Sequence, residues 1–362
     1  EFEVSKNIQR QGEIMITLSR SNYKSLFIGS SFFSCGGGVS YKNSIELMNS
    51  ISAENVSLVS LDELSDDDWL CTVYAIGVSG RSKKDYKTFL LAIECLEQHL
   101  GVRIQGVIPG EIGSEINAVW TASKKNIALV DTDMVGGRAV PEEDMDIYGI
   151  RNIDSTPVIV VNDQSDVIIV KDSKNGAILE SVYRAFAVAS GGYCYIASRP
   201  IRKADAQLIL PPGTMSRSIL TGDAMLTCKS EAELINTLGE KCSSKLLVAG
   251  KITSNTLKDE PGFLSGVTQI SGSGAFEGNE FTIHYKNENI ILLCGKKCLC
   301  SVPDSISIVD SDSLLPVSNS TLQLGSNVLV FGTPALPIWK TGRGIKLLGP
   351  RRFGFQEDYI PL

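Results

Sequence analysis

Between residues 56 and 141 the sequence switches repeatedly between two hydrophobic periods, and this limits the possible folds more than any other feature. Residues 56–59 and 70–76 are short, apolar, β-branched runs that read as strands, joined by an acidic stretch at 62–68 that reads as a solvated connection. From Lys84 to Leu100, Tyr86, Phe89, Leu90, Ile93 and Leu96 recur at helical spacing, and Gly101 stands where a C-cap belongs. A strand at 104–108, a helix at 114–123, a strand at 127–130 and a short helix opened by Pro141 follow. Such alternation predicts an α/β fold, a parallel or mixed sheet with helices on its faces. That architecture places ligands beyond the carboxyl ends of its strands.

Upstream, Ser19 is an N-cap for a short first helix with Tyr23, Leu26 and Phe27 on one face, loosened by Gly29, Ser30 and Ser31. Cys35-Gly36-Gly37-Gly38 reads as a loop, because successive glycines lose too much backbone entropy in a helix. A second helix covers 42–52. Beyond Pro157 the texture changes. A hairpin at 157–161 and 166–171 turns around 162–165, helices occupy 179–189 and 215–228, and short strands with turns run from 246 onward, as in a barrel or sandwich.

A chain of 362 residues divides naturally into two domains. We expect an N-terminal α/β domain over 15–165 and a C-terminal part over 166–362 that is β-rich from about residue 246. The segment 172–240 is partly helical and can pack with the first domain. Residues 1–14 are patternless and read as an extension outside the fold.

The composition, 43% hydrophobic and 21% charged, is that of packed domains, and the net charge of −7 argues against a nucleic-acid partner. No run is apolar enough to cross a bilayer, so no membrane association is expected. Nine cysteines without framework spacing fit reduced thiols and a cytoplasmic setting.

Only two histidines are present, which removes tri-histidine zinc and most Ser-His-Asp chemistry. His99 reads as a helix-end surface residue and His284 as structural. The Gly36, Gly37, Gly38 triplet lacks both the P-loop tail and the dinucleotide spacing, so no nucleotide cofactor is expected. It is either a tight turn or a set of backbone amides facing a ligand. Cys294, Cys298 and Cys300 are close enough for a metal half-site, but they flank a hairpin tip and lack a matching second pair of ligands; Cys35 reads as small-residue packing, with a nucleophile as the alternative.

Two polar clusters carry more chemistry, because each falls just after a predicted strand. Glu111 to Asn117 follows one, and Asp131-Thr132-Asp133 with Arg138 and Pro141 follows the next. Asp131 and Asp133 can bind one divalent metal, or one can serve as a base while the other orients it. Arg138 can steady a developing oxyanion. The alternative is a structural Asp–Arg network capping the Pro141 helix.

The chain resembles the S-methyl-thiohydantoin desulfurase-like family from about Met15 to its C-terminus. The resemblance lies in Ser34 to Gly38, Glu111 to Gly113 with Asn117, Asp131 to Asp133 with Gly137 to Ala139 and Pro141-Glu142, Gly250 to Ile252, Gly262-Phe263 with Gly266, Asn287-Glu288, Val302 to Asp304, and Gly349 to Gly354. It implies an N-terminal three-layer α/β/α domain, a C-terminal barrel-like domain, and action on a five-membered cyclic amide or its thio-analogue. Cys35, Ser114 and Val140 depart from the family's usual residues, which leaves the ring substituents open. The resulting expectation is a hydrolase acting at C2 of a hydantoin-like or S-alkyl-thiohydantoin ring. Glu111, Asp131, Asp133 and Arg138 would do the chemistry, and Gly36, Gly37, Gly38 and Asn117 would bind the ring. The alternative is a non-catalytic ligand-binding or partner subunit of a hydantoin-utilisation pathway. A homo-oligomer and a hydantoinase-type partner both remain open.

Overall fold

The computed structural model describes residues 16–50, 56–77, 87–174, 176–260 and 263–362. Residues 1–14, the start of the expected 84–100 helix and the end of the 42–52 helix lie outside the described residues. The chain opens with β1 (Ile16–Leu18), α1 (Arg20–Phe33) and α2 (Tyr41–Ser50), followed by β2 (Val56–Val59), β3 (Trp69–Gly77) and α3 (Thr88–Leu100). Next come β4 (Ile104–Pro109), α4 (Ile116–Lys125), β5 (Ala128–Val130), α5 (Ile147–Arg151), β6 (Val158–Val161), β7 (Val167–Val170), α6 (Gly176–Ala189) and β8 (Tyr193–Arg202). Three helices, α7 (Lys203–Ile209), α8 (Thr214–Thr227) and α9 (Glu231–Cys242), lead into the second half. That half holds β9 (Lys245–Glu260), β10 (Phe263–Gly272), β11 (Glu280–Lys286), β12 (Glu288–Cys294), β13 (Lys297–Ser301), β14 (Ser305–Asp310), β15 (Asn327–Thr333) and α10 (Gly342–Leu348).

The first sheet is mixed, in the order β1-β2-β5-β4-β3-β8-β6-β7. Its centre, β2-β5-β4-β3, is parallel and the remaining pairings are antiparallel. Period-two alternation assigns its faces. Ile159, Val161, Tyr195 and Ala197 pack with Phe89, Ile93 and Leu96 of α3, while Val158, Val160, Cys194 and Ile196 pack with Leu179 and Tyr183 of α6. Helices therefore cover both faces, giving three layers. Each such apolar side chain gains roughly 1.5–3 kcal/mol on burial. The second sheet is antiparallel, β13-β12-β11-β10-β9-β15-β14, and curls until β14 touches β12 and β13, as a half-barrel. No helix among the described residues is long and apolar enough to cross a membrane.

Local details differ from the sequence reading. Gly29, Ser30 and Ser31 do not loosen α1, which runs unbroken to Phe33 behind a capping box of Ser19 and Asn22. They let it lie against α8: a Cβ on Gly29 would sit 1.8 Å from the Ser218 carbonyl oxygen, and one on Gly222 1.8 Å from that of Ser25. Pro141 opens no helix. The next helix, α5, starts six residues later, where the Asp146 carboxylate accepts from the Gly149 amide at 2.7 Å. In the second half β9 is a 16-residue strand that pairs with both β10 and β15, longer than the short strands expected.

A candidate small-molecule site at the glycine turn

Strands β4 and β5 are parallel neighbours, so the loops that follow them emerge side by side. The Cys35–Gly38 turn faces those loops and is stitched to both halves of the molecule. The Val39 amide donates to the Gly113 carbonyl (2.7 Å), the Asn289 amide to Cys35 (2.7 Å) and the Asn319 amide to Gly36 (2.8 Å). Glycine is required at all three positions, for distinct reasons. Gly36 and Gly38 have φ +89° and +67°, and a Cβ on Gly37 would lie 1.9 Å from Glu288 Oε1. The amide of Gly37 donates to the Ser34 carbonyl (3.0 Å), so this part of the turn makes room for a carboxyl and does not offer its donor to a ligand.

After β4, Glu111 Oε2 accepts from the Val140 amide at 2.9 Å. Burial pushes its pKa up to about 8, reinforced by the nearby carboxyls of Asp133, Glu143 and Glu115. Glu115 is buried, accepts from the Gly113 amide at 2.7 Å, and is raised by burial to about 7. In the first turn of α4, Asn117 is buried with Oδ1 lacking a partner.

After β5, the two aspartates separate. Asp131 Oδ1 accepts from the Met215 (2.9 Å) and Ser216 (3.0 Å) amides, and Oδ2 accepts from the Ser216 hydroxyl, so this carboxylate anchors the start of α8. Asp133, fully buried, is wrapped by the amides of Val135, Gly136 and Gly137, each at 2.7 Å. Burial raises the pKa of both. Their lone pairs face different donor sets, so the cation site expected from the pair is not formed. Among the described residues no group of three or more His, Cys, Asp or Glu side chains is arranged to hold a metal. The alternative Asp–Arg network is not seen either: Asp133 is held by backbone amides of its own loop, and Arg138 by backbone carbonyls.

Arg138 is buried; Nε donates to the Ala139 carbonyl (3.0 Å) and Nη1 to those of Pro303 and Asp304, while Nη2 has no partner. Downstream, Arg199 holds the 141–146 loop by bonds to Asp146 (2.7 Å) and Glu143 (2.8 Å), fixing the segment next to Val140.

Three residues outside the sequence-derived set complete the site. Glu288 heads β12, with its pKa driven well up by burial and by Glu111, opposed by Arg138; its Oε2 is unpartnered. Asn289 donates through Nδ2 to Ile306 (3.0 Å) and Asn319 to Asn287 (2.9 Å), and in each Oδ1 is buried without a partner. Five of the ten buried unpartnered side-chain atoms among the described residues therefore gather where the glycine turn, the two loops and the start of β12 meet. Each costs roughly 1–3 kcal/mol if it stays unsatisfied. The cluster is not sealed, since Gly38 is exposed and Gly37, Glu111, Ser114 and Val140 are half-buried.

Other candidates fall elsewhere. The Cys35 thiol is buried, donates to the Phe33 carbonyl (3.1 Å) and is pushed up by burial, unlike an activated nucleophile. His99 is exposed near the end of α3, and His284 packs edge-on to Phe355 at 5.1 Å. Cys294 and Cys298 flank a hairpin tip whose Gly295 has φ +57°.

A family model described as "S-Me-THD-like, N-terminal domain" matches residues 21–172, and its C-terminal counterpart matches residues 173–362. The chain belongs to the S-Me-THD-like family. The fold of this chain is similar to that in the crystal structure of a protein from Chromobacterium violaceum. That structure superposes with a TM-score of 0.81 at 21% identity, covering 96% of this chain and 100% of that one. The comparison with curated proteins returned no match. In this S-Me-THD-like chain the segment matched by the C-terminal model begins just before α6, yet β8 lies between β3 and β6 in the first sheet.

Proposed function

We propose that this S-Me-THD-like protein is a hydrolase that replaces an S-alkyl group by oxygen at C2 of a thiohydantoin-like ring. The observation that carries the reading is the set of unpartnered buried polar atoms beside two carboxyls raised by burial, Glu111 and Glu288, the second raised further by the first. Amide oxygens of Asn117, Asn289 and Asn319 would accept ring N–H groups, and Arg138 Nη2 would face charge developing on the adduct.

The carboxyl pair supplies both proton roles. As the pH rises toward the pKa near 8, the pair loses its first proton and holds one base and one acid. The carboxylate takes a proton from water as the water oxygen bonds to C2 and the C2=N electron pair moves to the ring nitrogen, which takes the proton left on the added hydroxyl. The C2–S bond then breaks, the departing thiolate takes the proton of the acid partner, and the ring is left with a C2 carbonyl and an N–H. Asp133 serves by shaping the loop that carries Arg138.

Incubation with S-methyl-thiohydantoin, with thiol release followed colorimetrically with and without chelator, tests the reading. Release by the wild type, and a fall of at least about 100-fold in Glu288→Gln, are expected. Absence of thiol, or an unchanged rate in that variant, would overturn it.

A further inference from the structure

We propose that the cavity between α2 and the loop joining β14 to β15 is a second binding site, for a small aliphatic zwitterion of amino-acid type. Its volume is about 410 Å³, room for roughly a dozen waters and within the range of small-molecule sites. Ile252, Leu315 and Val328 give it an aliphatic part, and Asp310 stands beside it, paired with Val328 across β14 and β15 and donating its amide to the Leu315 carbonyl (2.9 Å). Tyr41 and Lys42 line it from the start of α2.

The two charges that line the cavity are opposite in sign and form no ion pair among the described residues. The Lys42 ammonium lies 5.9 Å from the Tyr41 ring centroid and forms no ion pair among the described residues. Asp310 uses Oδ1 to accept from the Ser313 amide (2.8 Å) and hydroxyl (2.7 Å), leaving Oδ2 without a hydrogen bond among the described residues. Asp310 lies close enough to Tyr41 to raise the phenol's pKa, secondary to burial. An aromatic ring thus stands near both a free cation and a half-free anion, with hydrocarbon beside the anion. A carboxylate on Lys42 and an ammonium on Asp310 would satisfy both charges at once and set the aliphatic body against Ile252 and Val328. A ligand with a single charge leaves one of them unmatched.

This site is separate from the carboxyl pair, since none of the unpartnered atoms described above lines it. The two share a wall. Ser40 and Ser318 line the cavity, and Asn319 bonds to Gly36 on the opposite side. The inference does not depend on the hydrolase reading.

Isothermal titration of the full chain with neutral aliphatic amino acids from glycine to leucine, and with ω-amino acids from β-alanine to 6-aminohexanoate, tests it. The matching deaminated acids and decarboxylated amines serve as controls. Saturable 1:1 binding of at least one zwitterion is expected, at least tenfold tighter than its acid and its amine, with a tenfold or greater loss in Lys42→Met and in Asp310→Asn. Lys42 is exposed, so Lys42→Met keeps the test decisive if loss of the Ser313 contacts unfolds Asp310→Asn. No saturable zwitterion binding, equal binding of acid or amine, or unchanged affinity in Lys42→Met would each overturn the proposal.

Discussion

Glu115→Gln isolates one buried acid of the site and should change how stability depends on pH. The Glu115 carboxyl titrates near 4.5 when free and near 7 in the folded chain, with burial as the main cause. That difference corresponds to about 3 kcal/mol in total. The sign follows from proton binding. Below pH 4.5 both folded and unfolded chains hold the proton and the contribution is fully present. As pH rises the unfolded chain ionises first, so the contribution is lost as pH passes through 7. Roughly 2 kcal/mol of this change falls between pH 5 and 8. A glutamine cannot ionise, yet its Oε1 can still accept from the Gly113 amide, so the variant should fold. Urea denaturation at half-unit steps from pH 5 to 8 should show the wild type losing roughly 2 kcal/mol relative to the variant. Parallel stability curves would refute the argument that burial holds this carboxyl protonated.

Gly37→Ala should abolish most thiol release with little change in Tm, because the new Cβ displaces Glu288 while the backbone at 37 needs no positive φ; an active variant would show that Glu288 need not stand there. Gly222→Ala should lower stability by about 1–3 kcal/mol or more in a thermal melt, since it forces α8 off α1. Asp133→Asn should lower stability by about 1–3 kcal/mol in urea denaturation, because its amide group cannot accept from all three amides that wrap the carboxylate.

Much of the first half is legible because its signals are local. Gly101 ends α3 in the left-handed region (φ +69°), as its position after a periodic run predicts, and the 162–165 turn joins β6 to β7. Glu111 and Asn117 come to the site because loops after adjacent parallel strands must emerge together. The remainder depends on contacts that no local pattern encodes. The donors that occupy Asp131 come from Met215 and Ser216, 84 and 85 residues away, so an apparent metal ligand is a helix anchor. Glu288 lies in a segment that carries the family resemblance, and with Asn289 it heads the apolar run Ile290 to Leu293, a polar pair where a strand begins; both are signals, but neither says which loops the pair meets. Asn319 carried none, being one of several polar residues in a long connection.

The most direct test of the proposed site is a crystal soaked with hydantoin, the expected kind of product. The account predicts ring density with hydrogen bonds to Arg138 Nη2 and Glu288 and to at least one of the Asn117, Asn289 and Asn319 amide oxygens. Ordered water alone at those five atoms, with the ring bound elsewhere or not at all, would contradict it.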